Sequence, residues 1–161
     1  MYLETQRLIL RPFEAADLTL FSEINANAEV MRFFGAPYTT VETADMIARC
    51  ADKQTRYGYA FSAVVTYDNN QLIGMAGLSR LEDGVPFAPC TEIGWRLTPS
   101  AWHNGYATEA ALAWLDYGFQ TLGLTEVLSY TPKLNIPSYR EIQRLGMQRL
   151  ADLALDYPSL P

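Results

Sequence analysis

Histidine occurs once in the 161 residues, at His103, and cysteine twice, at Cys50 and Cys90. One imidazole cannot make a cluster of metal ligands, and two thiols cannot build a disulfide scaffold or a four-ligand zinc site. A histidine-dependent triad would have to use His103 itself. Positive charge is also scarce: 12 Lys+Arg against 18 Asp+Glu leave a formal charge of −6, without the basic face or stripe of a nucleic-acid binder. No apolar run approaches the ~20 residues that span a bilayer, and the chain does not open on a basic stretch before an apolar segment. The expectation is a chain of the reduced cytoplasm with no metal, no nucleic-acid partner and no membrane partner. An acidic surface suits cationic substrates such as amines, but it also simply keeps a protein in solution.

What is present suits a packed domain. Hydrophobic residues make up 49% and charged residues 19% of the chain, which excludes the sparse apolar content of disordered sequences. Without repeats, low-complexity tracts or a Gly/Ser linker, residues 1–161 read as a single domain. Arg7–Arg11 alternates charge with aliphatics and stops at Pro12, which suits a first strand. Leu18, Leu20, Phe21 and Ile24 recur at helical spacing across 14–25. A short helix is expected over 27–34, ended by Gly35 and Pro37. A longer one runs to Arg56, capped by Thr39 or Thr40 with Glu42 in its first turn. Three strands follow, over 59–67, 72–81 and 90–97, the first two joined by a tight Asp68-Asn69-Asn70 turn, and they suggest an antiparallel meander. After Pro99 the period changes: a helix from Gly105 to near Gly123, a strand over 126–131, a helix over 136–145, and a last strand from Met147 onward. That half reads β-α-β-α-β, so part of the sheet should be parallel.

The stretch from Glu92 to Ala110 carries the most chemistry. A strand ends, a short loop turns, and a helix begins at Gly105. Such a junction points unpaired backbone N–H groups at one spot with the helix dipole behind them, and so binds phosphate without many charged side chains. It lacks the Gly-Lys-Ser/Thr ending of a Walker loop and the full glycine fingerprint of a dinucleotide turn.

Trp102-His103-Asn104-Gly105-Tyr106-Ala107 resembles the Gln/Arg-x-x-Gly-x-Gly/Ala acyl-CoA motif of the GNAT acetyltransferases, with Trp102 in place of the first residue. Gly105-Tyr106-Ala107-Thr108-Glu109-Ala110 and the opening Glu4-Thr5-Gln6-Arg7-Leu8-Ile9-Leu10-Arg11-Pro12 are similar to the branch that acetylates ribosomal-protein N-termini. Asn135-Ile136-Pro137-Ser138, followed by Leu145-Gly146-Met147, resembles that branch's second CoA-contacting segment. The matches fall in order across nearly the whole chain.

The resemblance implies an α/β (α+β) acyl-CoA N-acyltransferase fold. In it a mixed, mostly antiparallel sheet has two neighbouring parallel strands that splay apart, and acetyl-CoA, a co-substrate, enters the gap. Backbone N–H groups of His103, Asn104, Gly105, Tyr106 and Ala107 would hold the pyrophosphate, and Thr108 would add a hydroxyl. Arg96, Leu97 and Thr98 would bind the pantetheine arm, with an N–H near Leu97 offered to the thioester oxygen as an oxyanion donor. The loop is less cationic than in relatives with a basic residue at the position of Asn104. Elsewhere in the superfamily a tyrosine at the position of Ile142 protonates the departing thiolate, which isoleucine cannot do. By resemblance Ser138 takes that role, with Tyr139 in reserve. Glu92 resembles a glutamate that could accept the amine proton through water; it also reads as a solvated strand-end charge. Asn135 reads equally as a helix cap whose side chain bonds the Ser138 N–H, with Pro137 in a first turn that has no donor to lose.

An α-amine with pKa ~8 is roughly one-tenth neutral at pH 7, whereas lysine is neutral at about one part in a few thousand, so an N-terminal amine tolerates a weaker base. His103 lies in the phosphate-facing loop and is read as peripheral. Phe33, Phe34 and Tyr38 fall where the family shapes its acceptor pocket, and also suit a core. No chemistry is expected of Cys50 or Cys90. Relatives usually continue past the final Gly-Met strand into one more strand, which is missing here, and a homodimer covering that edge is expected. The function implied is an N-acetyltransferase acting on a protein N-terminal or small-molecule amine. The alternative is a non-catalytic acyl-CoA-binding domain of the same fold.

Overall fold

The computed structural model describes residues 2–150. Its sheet has five strands in sequence order: β1 (Leu3–Glu4), β2 (Leu8–Arg11), β3 (Phe61–Thr66), β4 (Leu72–Leu81) and β5 (Cys90–Leu97). All four neighbouring pairs are antiparallel. The helices are α1 (Asp17–Ala26), α2 (Ala28–Met31), α3 (Thr40–Tyr57), α4 (Tyr106–Asp116) and α5 (Ile136–Arg144). No described helix is long and apolar enough to cross a membrane.

The sheet is covered on both faces, so its inner strand β4 is buried from Leu72 to Ser79 rather than alternating. On one face Leu8, Leu10, Val64, Leu78 and Ile93 pack on Ala110, Ala111 and Trp114 of α4. On the other, Ala63, Val65 and Met75 meet Phe21 and Ile24 of α1 and Val30 of α2. Each fully buried Val, Leu, Ile, Phe or Met side chain among these contributes about 1.5–3 kcal/mol.

Local signals set the helix ends. Thr39 and Glu42 form a reciprocal capping box at the start of α3, which ends on left-handed Gly58. α1 begins three residues later than its apolar pattern suggests. The Asp17 carboxylate accepts two hydrogen bonds from Arg11 (2.7 and 3.0 Å) and one from the Glu14 amide, fixing the turn out of β2. The short helix expected over 27–34 closes at Met31. α4 passes at Tyr117 into a five-residue π-helical turn ending at Thr121.

Two expected strands differ. The one over 126–131 contracts to a single parallel bridge, Leu128 opposite Glu92. Leu128 donates to Thr91 O at 2.9 Å and its own carbonyl accepts from Ile93 N at 2.8 Å. Pro132 has no N–H with which to extend the ladder. The parallel, splayed part of the sheet therefore begins and ends at one bridge. The strand expected from Met147 is absent over 147–150, and its continuation lies outside the described residues, as does the chain end on which the expected homodimer rests.

Candidate active site

Antiparallel register decides what β5 offers to the gap beyond Leu128. Successive residues alternate between bonding one neighbour and the other. Thr98 N donates to Ile73 O of β4 at 2.8 Å, while Ile93 N donates to Leu128 O on the opposite side. The alternation therefore sends the N–H groups of Trp95 and Leu97 into the open gap. Thr98, expected on the pantetheine arm, faces β4 with its amide and lines neither cavity described below. Trp102, the departure from the motif, donates its indole N–H to Leu97 O at 2.8 Å and braces the strand end against the loop.

The loop into α4 contains two left-handed residues, His103 (φ 62°) and Gly105 (φ 78°). Only glycine takes such a conformation without strain from a Cβ, which is why the helix starts at Gly105. The first helical bond is Glu109 N to Gly105 O, 3.0 Å. The amides of Tyr106, Ala107 and Thr108 thus have no carbonyl inside the helix, and a glycine cap has no side chain to satisfy them. They form an anion site with the positive end of the helix dipole behind it.

The opening segment clamps this loop from outside. Glu109 accepts from the Thr5 hydroxyl (2.6 Å), the Arg7 amide (2.9 Å) and Arg7 Nε (2.7 Å). Arg7 also donates to Asn104 O at 3.0 Å and lies over the Tyr106 ring. Asn104 is thereby turned away: its side chain donates to Trp102 O and it lines neither cavity.

Two cavities meet at β5. The larger, about 780 Å³, runs along His103, Gly105, Tyr106, Ala107, Thr108 and the first turns of α5. The smaller, about 300 Å³, lies behind it among Phe33, Phe34, Tyr38, Phe61, Glu92, Tyr130 and Ile142. Phe33, Phe34, Trp95, Arg96, Asn135 and Ser138 line both. Leu97 lines the larger cavity only. Tyr139 lines neither and is 39% exposed, so the structure places Ser138, not Tyr139, on the shared wall.

Ser138 is placed by its own helix start. Asn135 Oδ1 accepts from Ser138 N at 3.3 Å, with Pro137 in the first turn. Glu92 sits at the other end of the smaller cavity. Burial pushes its carboxyl above the ordinary range. A hydrogen bond from Tyr130, the Lys53 ammonium and a hydrogen bond from Ser79 hold it back only in part. Lys53 itself donates to Ser79 Oγ at 2.8 Å. Burial also pushes the Cys50 thiol up to about 11, so it holds no thiolate near neutrality.

Sequence reasoning did not find the groups that α5 contributes. Arg140 and Arg144 are four apart on one face and line the larger cavity with Arg32, restoring the positive charge that Asn104 lacks. Between them Glu141, buried, accepts a short hydrogen bond from the Thr108 hydroxyl and pairs with Arg144 at 3.2 Å. Thr108 is therefore already bonded, and its expected contact with phosphate would have to come from its amide. The periodicity 137, 140, 141, 144 was the available signal.

A loop that presents three free amides beside an antiparallel strand with two outward N–H groups defines an anion site next to an unpaired strand edge. The family model of the acetyltransferase (GNAT) domain matches residues 7–148. An uncharacterized N-acetyltransferase of Bacillus subtilis, YnaD, is 32% identical, over 92% of this chain and 84% of its own. The spermidine N(1)-acetyltransferase of Escherichia coli K12 is 29% identical, over 92% of this chain and 76% of its own. An acetyltransferase structure from Agrobacterium tumefaciens is 29% identical and superposes with a TM-score of 0.80, over 91% of this chain and 82% of its own. The chain belongs to the GNAT acetyltransferase family, and it is an N-acetyltransferase.

Proposed function

We propose that acetyl-CoA occupies the larger cavity, with its pyrophosphate on the amides of His103, Gly105, Tyr106, Ala107 and Thr108, and that a primary amine enters the smaller one. The observation carrying this reading is the shared wall. Trp95, Arg96, Asn135 and Ser138 line both cavities, and the β5 register turns the Trp95 and Leu97 amides toward the same place. The amine nitrogen attacks the thioester carbon, a C–N bond forms, and the C–S bond breaks. Glu92 takes the amine proton, directly or through water, and a carboxyl raised above its ordinary range is a better base than a solvated one. A Leu97 or Trp95 amide donates to the oxygen as negative charge grows on it. Ser138 protonates the sulfur, since Ile142 has no proton to give.

A cavity of about 300 Å³ with aromatic walls favours a small acceptor over a long flexible one. The non-catalytic alternative differs in one observable: it binds acetyl-CoA and releases no thiol to any amine. Ser138→Ala is expected to lower kcat about tenfold or more while leaving acetyl-CoA affinity within a factor of two, because the hydroxyl acts only as the thiolate leaves. Thiol release with saturating acetyl-CoA reads this directly, and an unchanged kcat removes Ser138 from the reaction.

A further inference from the structure

Arg96 is 6% exposed, yet none of the ion pairs among the described residues includes it. One Nη donates to Asn25 Oδ1 at 2.8 Å and touches Met46 Sδ at 3.9 Å. The guanidinium lies 4.2 Å from the Phe34 ring centroid and 5.5 Å from that of Tyr38, whose hydroxyl is a further hydrogen-bond partner. Its Nε is buried with no hydrogen-bond partner. A buried cation held only by neutral groups is costly, and an unpaired buried donor adds to that cost. A protein retains such a group where a ligand completes it.

The ligand that would complete it is on the acceptor side. Arg96 lines both cavities, and it shares one face of β5 with Glu92 of the smaller one, four residues or about 13 Å away. The phosphates of a bound acetyl-CoA belong to the amides of α4 and to Arg32, Arg140 and Arg144, and the arm passing β5 is uncharged. The smaller cavity thus carries one carboxylate at one end and one uncompensated guanidinium at the other, between aromatic walls. A polyamine would bring several positive charges to a cavity with a single acidic group and would meet Arg96 as a like charge.

We propose that the acceptor is a compact zwitterion, a primary amine whose molecule also bears a carboxylate, that Arg96 holds that carboxylate, and that Glu92, too far along β5 to touch the same small molecule, takes the amine proton through water. This rests on acetyl transfer at the same site. Guanidinium and carboxylate match as planar, charge-assisted partners, and Asn25 and Phe34 hold Arg96 in place before the substrate arrives.

The test is thiol release from acetyl-CoA with L-phenylalanine and L-leucine, each against its amide, together with phenethylamine and spermidine. The free amino acids are expected to exceed their amides and phenethylamine at least tenfold in kcat/KM. The amide's amine is the less basic and more often neutral, which weighs the comparison against the proposal. Arg96→Gln should abolish the preference, chiefly through KM of the acceptor, while acetyl-CoA affinity stays within twofold. Equal or better use of amide, phenethylamine or spermidine overturns the carboxylate inference and leaves acetyl transfer standing. So does a preference that survives Arg96→Gln, or a variant whose main loss is acetyl-CoA affinity. Should that variant not fold, the wild-type panel decides alone. Thiol release to none of the six acceptors overturns both the carboxylate inference and the reading of the smaller cavity as the site of a small acceptor.

Discussion

Replacing Glu92 with glutamine is expected to lower turnover about 10²–10⁴-fold, the usual contribution of a positioned general base, without lowering thermal stability. The two halves of this result have one cause. Burial raises the Glu92 carboxyl above its ordinary value of 4.5. For an acid whose folded pKa is raised, stability is fully present below the unfolded value and is lost as pH rises through the folded one. Glutamine carries no such penalty, so the melting temperature of Glu92→Gln relative to wild type should climb as pH increases above 4.5. Wild-type kcat/KM should show an acid limb on the neutral side of 4.5, which the variant lacks. A variant both inactive and strongly destabilised at pH 8 would make Glu92 a structural residue. Full activity would exclude it as the base.

Gly74→Ala should have the largest effect on stability. Val64 pairs with Gly74 but Val65 with Leu72, so Ile73 is an extra residue in β4 and the strand bulges there. Gly74 stands at φ 148°, and a Cβ on it would lie 2.1 Å from Arg96 O and 2.8 Å from Leu97 Cα. Both are backbone atoms of β5 that cannot move without parting the strands. The place is also where Thr98 N reaches Ile73 O, and so where the alternation aiming the Leu97 amide into the gap is fixed. The expected loss is about 4 kcal/mol or more, at the exceptional end for a single substitution. That corresponds to roughly 8–16 °C in a domain of this length. Gly58→Ala, at φ 80° but with nothing within 4 Å, should cost only about 1–2 kcal/mol for the backbone conformation itself. Similar losses at the two positions would mean that close approach of β4 to β5 is not what Gly74 provides.

The helix starts were legible because their determinants are neighbours in sequence. Trp102 to Ala107 form a consecutive loop and helix start, Asn135 caps the helix that begins one residue later, and Thr39 and Glu42 complete their box within four residues. The antiparallel meander was legible from three β-rich runs separated by turns. What escaped depends on long-range pairing. Arg96 meets Asn25 across 71 residues, Thr108 meets Glu141 across 33, and Arg7 meets Glu109 across 102. No periodicity predicts these. The role expected of Thr98 failed on register, since a shift of one residue decides which strand an amide faces. The strand expected over 126–131 contracted because β-rich composition says nothing of whether a partner lies alongside. The positive charge of the larger cavity lies not in the loop, where Asn104 stands, but on α5, whose arginines the sequence reading did not single out.

The central claim is that the cavity between β5, α4 and α5 binds acetyl-CoA through the free amides at the start of α4. Thermal unfolding with and without acetyl-CoA, with free CoA as comparison, tests it most directly. At 100 times the dissociation constant a ligand of the folded state adds about 2.7 kcal/mol, which is roughly 5–10 °C for a chain of this size. Because the phosphate end supplies the binding, free CoA should raise the midpoint by a similar amount, and both shifts should shrink in Gly105→Val, whose Cβ disfavours the left-handed start of α4. No shift with either ligand at millimolar concentration, or a shift undiminished in Gly105→Val, would contradict the account.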